Sequence, residues 1–171
     1  DGDGNAMRTL YSAENRELVS IDKIPDHMIN ALIAIEDHRF REHHGVDWEG
    51  TLAAFYKTFT SGATRGGSTI TQQLLRKMYD DTDVTVRRKF REICRALEYE
   101  KSVGKEDIIT DYLNTVYFGA GAYGIQTAAK TYFGKDVSEL SVAESAAIVG
   151  ITNNPSLYEP FLKKEFEQDD G

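Results

Sequence analysis

With one cysteine, Cys94, the sequence admits no intrachain disulfide and no cysteine-ligated metal cluster. No apolar run reaches the roughly 18 residues a bilayer-spanning helix needs, and no secretory leader opens the chain. Positive charge is scarce: 20 Lys and Arg stand against 28 Asp and Glu, a net charge of −8. That balance argues against a general nucleic-acid binder, which carries an excess of Lys and Arg. Internal repeats and low-complexity tracts are also missing.

What remains is an ordinary globular composition. At 171 residues the chain is long enough for one substantial core. The opening "DGDGNAMRTL" and the tail "KKEFEQDDG" read like parts of a longer polypeptide. Residues 1–24 form a lead-in, in which the alternating "ELVSI" after "AEN" suggests a short β-hairpin. "DGDGN" resembles the start of a calcium loop, but the position that should close it is Ser12, so no calcium site is expected. Residues 25–171 make up the principal domain, and its patterning is mainly α. "PDHMINALIAIEDHRF" sets Ile29, Leu32, Ile33 and Ile35 in an apolar helix. Further helices are expected in "DWEGTLAAFYKTF" with Asp47 as N-cap, "STITQQLLRKMY", "VTVRRKFREICRALEYEK" and "KEDIITDYLNTVYFG". The turn "GAGAYG" interrupts the pattern. "IQTAAKTYFG" resumes it with Gly134 placed to end the helix, and Ser141 and Glu144 have capping-box spacing.

One stretch has more polar groups than a helix start requires. In "TRGGSTITQQLLRK", Gly67-Ser68 reads as a loop entering an N-cap. A helical wheel over residues 69–79 collects Ile70, Leu74, Leu75 and Met78 on one arc. Thr69, Gln72, Gln73 and Arg76 take the other, with Lys77 at its edge. Amide and hydroxyl groups around a guanidinium suit sugars and phosphates, which the planar Arg fork matches well. In the next helix, Val86, Phe90, Ile93 and Leu97 make the expected core stripe, with Arg88, Glu92, Arg95 and Tyr99 opposite. Glu92 then reads as part of a surface ion pair, which contributes a few tenths of a kcal/mol.

"AIEDHRFREHHGVDW" ends an apolar helix on Glu36 and Asp37. A carboxylate there suits general-base work. His38, His43 and His44 do not form a metal-binding HExxH and read as structural or hydrogen-bonding groups. Glu36 and Glu92 together suggest chemistry at a glycosidic centre.

Five ordered motifs resemble the peptidoglycan glycosyltransferase domain of glycosyltransferase family 51, found in class A penicillin-binding proteins and monofunctional transglycosylases. The first is Glu36-Asp37, Phe40, His43 and Gly45; the second is "GGSTITQQ", Gly66 to Gln73. The third is Arg88, Lys89 and Glu92, and the fourth "DYLNTVYFG". The fifth is "AAKTYFGKDVSELSVAESA", followed by "NNPSLYEP". The resemblance implies a lysozyme-like α fold with a smaller, membrane-facing lobe. It also implies polymerisation of lipid II into β-1,4 glycan strands, with inversion and release of undecaprenyl pyrophosphate from the growing chain. Carried over by position, Glu36 is the general base and Glu92 the second essential carboxylate. Basic residues of the second and third motifs then meet the diphosphate. Arg76, Lys77, Arg88, Arg65 and Lys89 are the candidates, with Ser68, Thr69, Gln72 and Gln73 for sugar or phosphate contacts and Asp37 and Phe40 completing the site.

The pattern departs from the family twice. The usual ending QQ-x-x-K-N here has Arg76 and Lys77, and the wheel assigns the phosphate role to Arg76. An Arg often found eight residues before the second Glu is Val84, where Arg87 is a partial substitute.

The family resemblance also implies work at the outer face of the bacterial cytoplasmic membrane, with a transmembrane anchor absent from this chain. "TLAAFYKTF", with Leu52, Phe55, Tyr56 and Phe59, is the candidate for shallow insertion. No cofactor is required by the sequence, although a divalent cation (Mg2+ or Mn2+) would be able to bridge a pyrophosphate and a carboxylate. Other cell-wall synthesis proteins are expected partners. The competing readings are a lysozyme-like hydrolase or lytic transglycosylase, and a catalytically silent scaffold that binds precursors.

Overall fold

The computed structural model describes residues 16–61, 67–79, 85–152 and 158, without the side chains at 54, 55, 57–59 and 61. Among the described residues it is helical: α1 (Asp26–Glu36), α2 (Trp48–Ser61), α3 (Ile70–Met78), α4 (Val86–Tyr99), α5 (Lys105–Thr115), α6 (Ile125–Phe133) and α7 (Val142–Thr152). Two 3-10 turns, Ile21–Lys23 and Val137–Glu139, join them. The mainly α, lysozyme-like expectation holds.

The main core gathers Met28, Leu32 and Phe40 with Ile70 and Leu74 of α3 and Ile108, Ile109 and Leu113 of α5. Ile125, Ala128 and Ala129 of α6 and Ile148 and Val149 of α7 complete it. α1 lies against α7, and α3 is held between α5 and α4. A second, smaller cluster of Val46, Leu75 and Ala96 seals α3 to α4.

Local signals set the helix ends. Gly50 N donates to Asp47 Oδ1 at 3.0 Å, the N-cap bond expected for α2. Gly134 ends α6 in the left-handed region, at φ 65°. Ser141 N donates to Glu144 Oε2 at 2.8 Å and Glu144 N to Ser141 Oγ at 3.3 Å, completing the box that opens α7. The cap of α3 falls one residue later than expected. Thr69, not Ser68, is the N-cap, accepting from Gln72 N while its own N donates to Gln72 Oε1.

Two expectations fail. No strand forms in residues 16–21, and the rest of the anticipated hairpin lies outside the described residues. Val19 bonds the Asn114 carboxamide instead, its N donating to Oδ1 at 3.0 Å and its carbonyl accepting from Nδ2 at 2.8 Å. A side-chain amide thus does the work of a partner strand.

The core stripe of α4 is also turned. Val86 is 89% exposed and Phe90 67%, whereas the buried positions of this helix are Glu92 and Ala96. Only Ile93 and Leu97 of the expected stripe pack inward, against the small cluster. Tyr99, assigned to the outer side, packs against both clusters, and burial with Asp111 and Asp107 pushes its phenol up to about 12. The reason is that α4 buries a neutralised ion cluster rather than its most apolar arc. Cations adjacent to Glu92 make that burial tolerable.

Candidate active site

Glu36 is the last residue of α1, half-buried where that helix meets α7 and α3. Both its oxygens are engaged: Gln73 Nε2 donates to Oε2 at 2.9 Å and Thr152 Oγ1 lies 2.8 Å from Oε1. Gln73 is itself oriented, because Tyr112 Oη donates to its Oε1 at 3.1 Å. Burial first, and the Glu36 charge second, push the Tyr112 phenol up, so it stays a donor. A carboxylate held this firmly has little rotamer freedom left.

The next residue leaves the helix and acts as a clamp. Asp37 is buried, with Oδ1 and Oδ2 at 2.9 and 3.0 Å from His43 Nε2. Its Oδ2 also accepts from Ile70 N at 3.0 Å, the first free N–H of α3. The end of α1 and the start of α3 are therefore tied through one carboxylate. Thr69 Oγ1 adds a bond to the Gly45 carbonyl at 2.7 Å. Gly45 has φ +81°, and a Cβ there would fall 2.5 Å from the Ala96 carbonyl oxygen, so α4 packs directly on its backbone.

Glu92 was expected at the surface and is 5% exposed. Arg88 Nη1 donates to Oε2 at 2.7 Å and Lys89 Nζ to Oε1 at 2.5 Å. Lys89 Nζ also donates to Ser68 Oγ at 2.8 Å, and Gln73 Nε2 lies 3.4 Å from the Ser68 carbonyl oxygen. A continuous polar chain thus runs from Glu36 through Gln73, Ser68 and Lys89 to Glu92. Beside it lies a small depression lined by Leu75, Arg76, Arg88, Glu92 and Arg95. Arg88 Nε is buried there with no hydrogen-bond partner. Arg95, whose guanidinium also stacks 4.2 Å over the Tyr79 ring, is a cation the candidate set had omitted. Its place on the same helix arc as Glu92 was the available signal.

The predicted site residues divide into two groups. Glu36, Ser68, Gln73, Arg76, Lys77, Arg88, Lys89 and Glu92 sit on or beside the polar chain. Lys77 is exposed and does not line the depression; loss of hydration and the neighbouring Arg76 charge lower its pKa. Asp37, Phe40, Thr69 and Gln72 are buried. Thr69 and Gln72, expected to face a sugar or phosphate, are spent on the α3 cap, and Phe40 is a core ring with Lys105 Nζ 4.2 Å over it. Arg65 and Val84 lie outside the described residues, as does "NNPSLYEP" except Tyr158.

One carboxylate fixed by an amide and a hydroxyl, and another neutralised by two cations beside an arginine-lined depression, are groups chemically suited to transfer reactions on sugars. The family model for transglycosylases matches residues 3–170, and the chain belongs to that family, the peptidoglycan glycosyltransferases. It is 44% identical over 163 residues to penicillin-binding protein 1F of Bacillus subtilis (strain 168), covering 95% of this chain and 23% of that protein. It is 43% identical over 156 residues to penicillin-binding protein 1A of Escherichia coli (strain K12), covering 91% and 18%. To penicillin-binding protein 1A of Streptococcus pneumoniae (strain ATCC BAA-255 / R6) it is 39% identical over 168 residues, covering 96% and 23%. The chain thus spans less than a quarter of the length of these relatives.

Proposed function

We propose that this protein polymerises lipid II into β-1,4-linked glycan strands, with the growing strand as donor. Glu36 takes the proton from the 4-hydroxyl of the acceptor sugar, whose oxygen attacks the donor's anomeric carbon with inversion. Undecaprenyl pyrophosphate leaves from the opposite face. The observation that carries this reading is the contrast between the two carboxylates. Among the described residues Glu36 is hydrogen-bonded by neutral groups, the Gln73 amide and the Thr152 hydroxyl, whereas Glu92 is committed to Arg88 and Lys89. A committed carboxylate is unsuited to proton abstraction and suited to holding cations in place.

Charge gathers on the diphosphate as the bond breaks, so preorganised cations stabilise the transition state more than the ground state. Arg76, Arg88 and Arg95 around the depression supply that charge, with Lys89 behind them. The substrate's polyprenyl tail requires work at a membrane surface, on the outer face of the cytoplasmic membrane. Exposed Trp48, Leu52 and Tyr56 recur every fourth residue along α2, and Val86 and Phe90 stand out from α4. Among the described residues no helix is long and apolar enough to cross a membrane, so these groups fit shallow insertion.

Incubation with lipid II tests the reading. Long glycan strands support it; shortening of preformed strands without polymer identifies a hydrolase instead, and binding without turnover identifies a scaffold. Repeating the assay with a chelator separates side-chain cations, which keep activity, from a bridging divalent metal, whose removal ends it.

A further inference from the structure

Thr152, the last residue of α7, stands between two oxygens. Its Oγ1 lies 2.8 Å from Glu36 Oε1 and 2.6 Å from the Val149 carbonyl oxygen. A hydroxyl has one proton and two lone pairs, and a carbonyl oxygen only accepts. When Glu36 is ionised, both neighbours of the hydroxyl are acceptors and one contact has no proton in it. When Glu36 is protonated, both contacts are filled: the carboxylic O–H donates to Thr152, and Thr152 donates to Val149. The trio is complete only with one proton more than the carboxylate form brings.

We propose that Thr152 is a positioning residue that accepts a hydrogen bond from the proton Glu36 gains during the reaction and passes the bonding on to the Val149 carbonyl. This rests on Glu36 being the base. In the step, the acceptor's O–H bond breaks and its electron pair forms the new bond to the anomeric carbon. The carbon–oxygen bond to the diphosphate breaks with its pair on the leaving group, and the proton ends on Glu36 Oε1. The hydrogen bond to Thr152 is complete only as that proton arrives, so it acts differentially on the transition state. Gln73 works in the other sense, since its N–H to Oε2 favours the ionised form.

Among the described residues, the charged and titratable groups facing Glu36 are few. Arg76 and Lys77 come from α3 and Tyr112 from α5. Asp37, the next residue, is engaged by His43. On α7 the acidic residue is Glu144, in the first turn and bonded to Lys135.

The test is lipid II polymerisation across pH by Thr152→Val and Thr152→Ser. Thr152→Val should lower kcat about fivefold to tenfold with little change in KM. It should also move the acidic limb of the rate profile to lower pH by about half a unit, because the acid form of Glu36 loses its acceptor, whereas in the ionised form the hydroxyl proton lies on the shorter contact, to the Val149 carbonyl. Thr152→Ser, which keeps the hydroxyl, should restore both. A Thr152→Val profile that is unmoved, or shifted to higher pH, overturns the proposal; if that variant does not fold, Thr152→Ala replaces it. Glu36→Gln run alongside separates the two claims. If it still polymerises, Glu36 is not the base; if it is inactive while Thr152→Val is normal, only the role of Thr152 falls.

Discussion

Gln73 meets Glu36 through its amide nitrogen, 2.9 Å from Oε2, and the orientation is enforced from behind by the Tyr112 hydroxyl at 3.1 Å. Without that hydroxyl the amide is able to rotate and present its oxygen to the carboxylate, replacing an attraction by a repulsion. Tyr112→Phe should therefore lower the polymerisation rate several-fold, about the value of one hydrogen bond, while thermal stability changes little. Gln73→Glu, which sets a like charge against Glu36, should cost far more. Equal rates for Tyr112→Phe and the parent would show that the hydroxyl does not orient Gln73.

Arg76 lines the depression beside Glu92 and Lys77 does not. Arg76→Ala should reduce turnover by about tenfold or more, and Arg76→Lys should keep much of it, since a charge remains without the planar fork. Lys77→Ala should cost much less. Comparable losses for the two alanine variants would remove Arg76 from its central role.

Asp37 is a structural clamp, and its loss should appear in stability before anything else. Asp37→Ala leaves buried His43 and Ile70 N without their acceptor. The expected cost is about 3 kcal/mol in denaturant unfolding. A variant of parental stability would mean that other groups satisfy these donors.

Glu144 carries a pH prediction. Bonds from Lys135 first, and from Ser141, hold its carboxyl at about 2, below the ordinary 4.5. A lowered carboxylate value stabilises the fold above the ordinary range, and that contribution disappears as pH falls from about 4.5 towards about 2. Glu144→Gln should flatten this part of the stability profile in thermal melts at successive pH values. An unchanged acid limb would refute the assignment.

The apolar groups on α2 and α4 predict where the protein touches lipid. Leu52→Glu and Phe90→Glu should each weaken sedimentation with anionic vesicles while leaving the fold intact, because both side chains point to solvent. Undiminished vesicle binding in the double variant would place the contact elsewhere.

Much of this was legible from sequence, for physical reasons that differ by element. The arc of Ile70, Leu74, Leu75 and Met78 was readable because α3 buries its apolar side, the ordinary case for which the wheel works. α4 defeated the same reasoning because a wheel sorts residues by polarity: it sets Arg88 one turn from Glu92 but cannot know that Glu92 is buried. Thr69 and Gln72 were misjudged because a capping box and a polar binding face use the same residue types. What distinguishes them is which N–H is left free, and that depends on the preceding loop. Thr152 gave no sequence signal, since its partner lies 116 positions away and one threonine at a helix end is unremarkable in composition.

The Asp37 clamp has one further consequence. The start of a helix is ordinarily a receptive place for phosphate, with free N–H groups and a positive dipole end. In α3 that place is filled from within, by the Asp37 carboxylate on Ile70 N and the Thr69 hydroxyl on Gln72 N. The lipid-linked diphosphate we propose as substrate is then met by guanidinium and ammonium groups at the end of long side chains, whose attraction is screened by dissolved ions. On the proposed reading substrate affinity therefore falls as ionic strength rises, because the start of α3 is already occupied by the protein's own side chains.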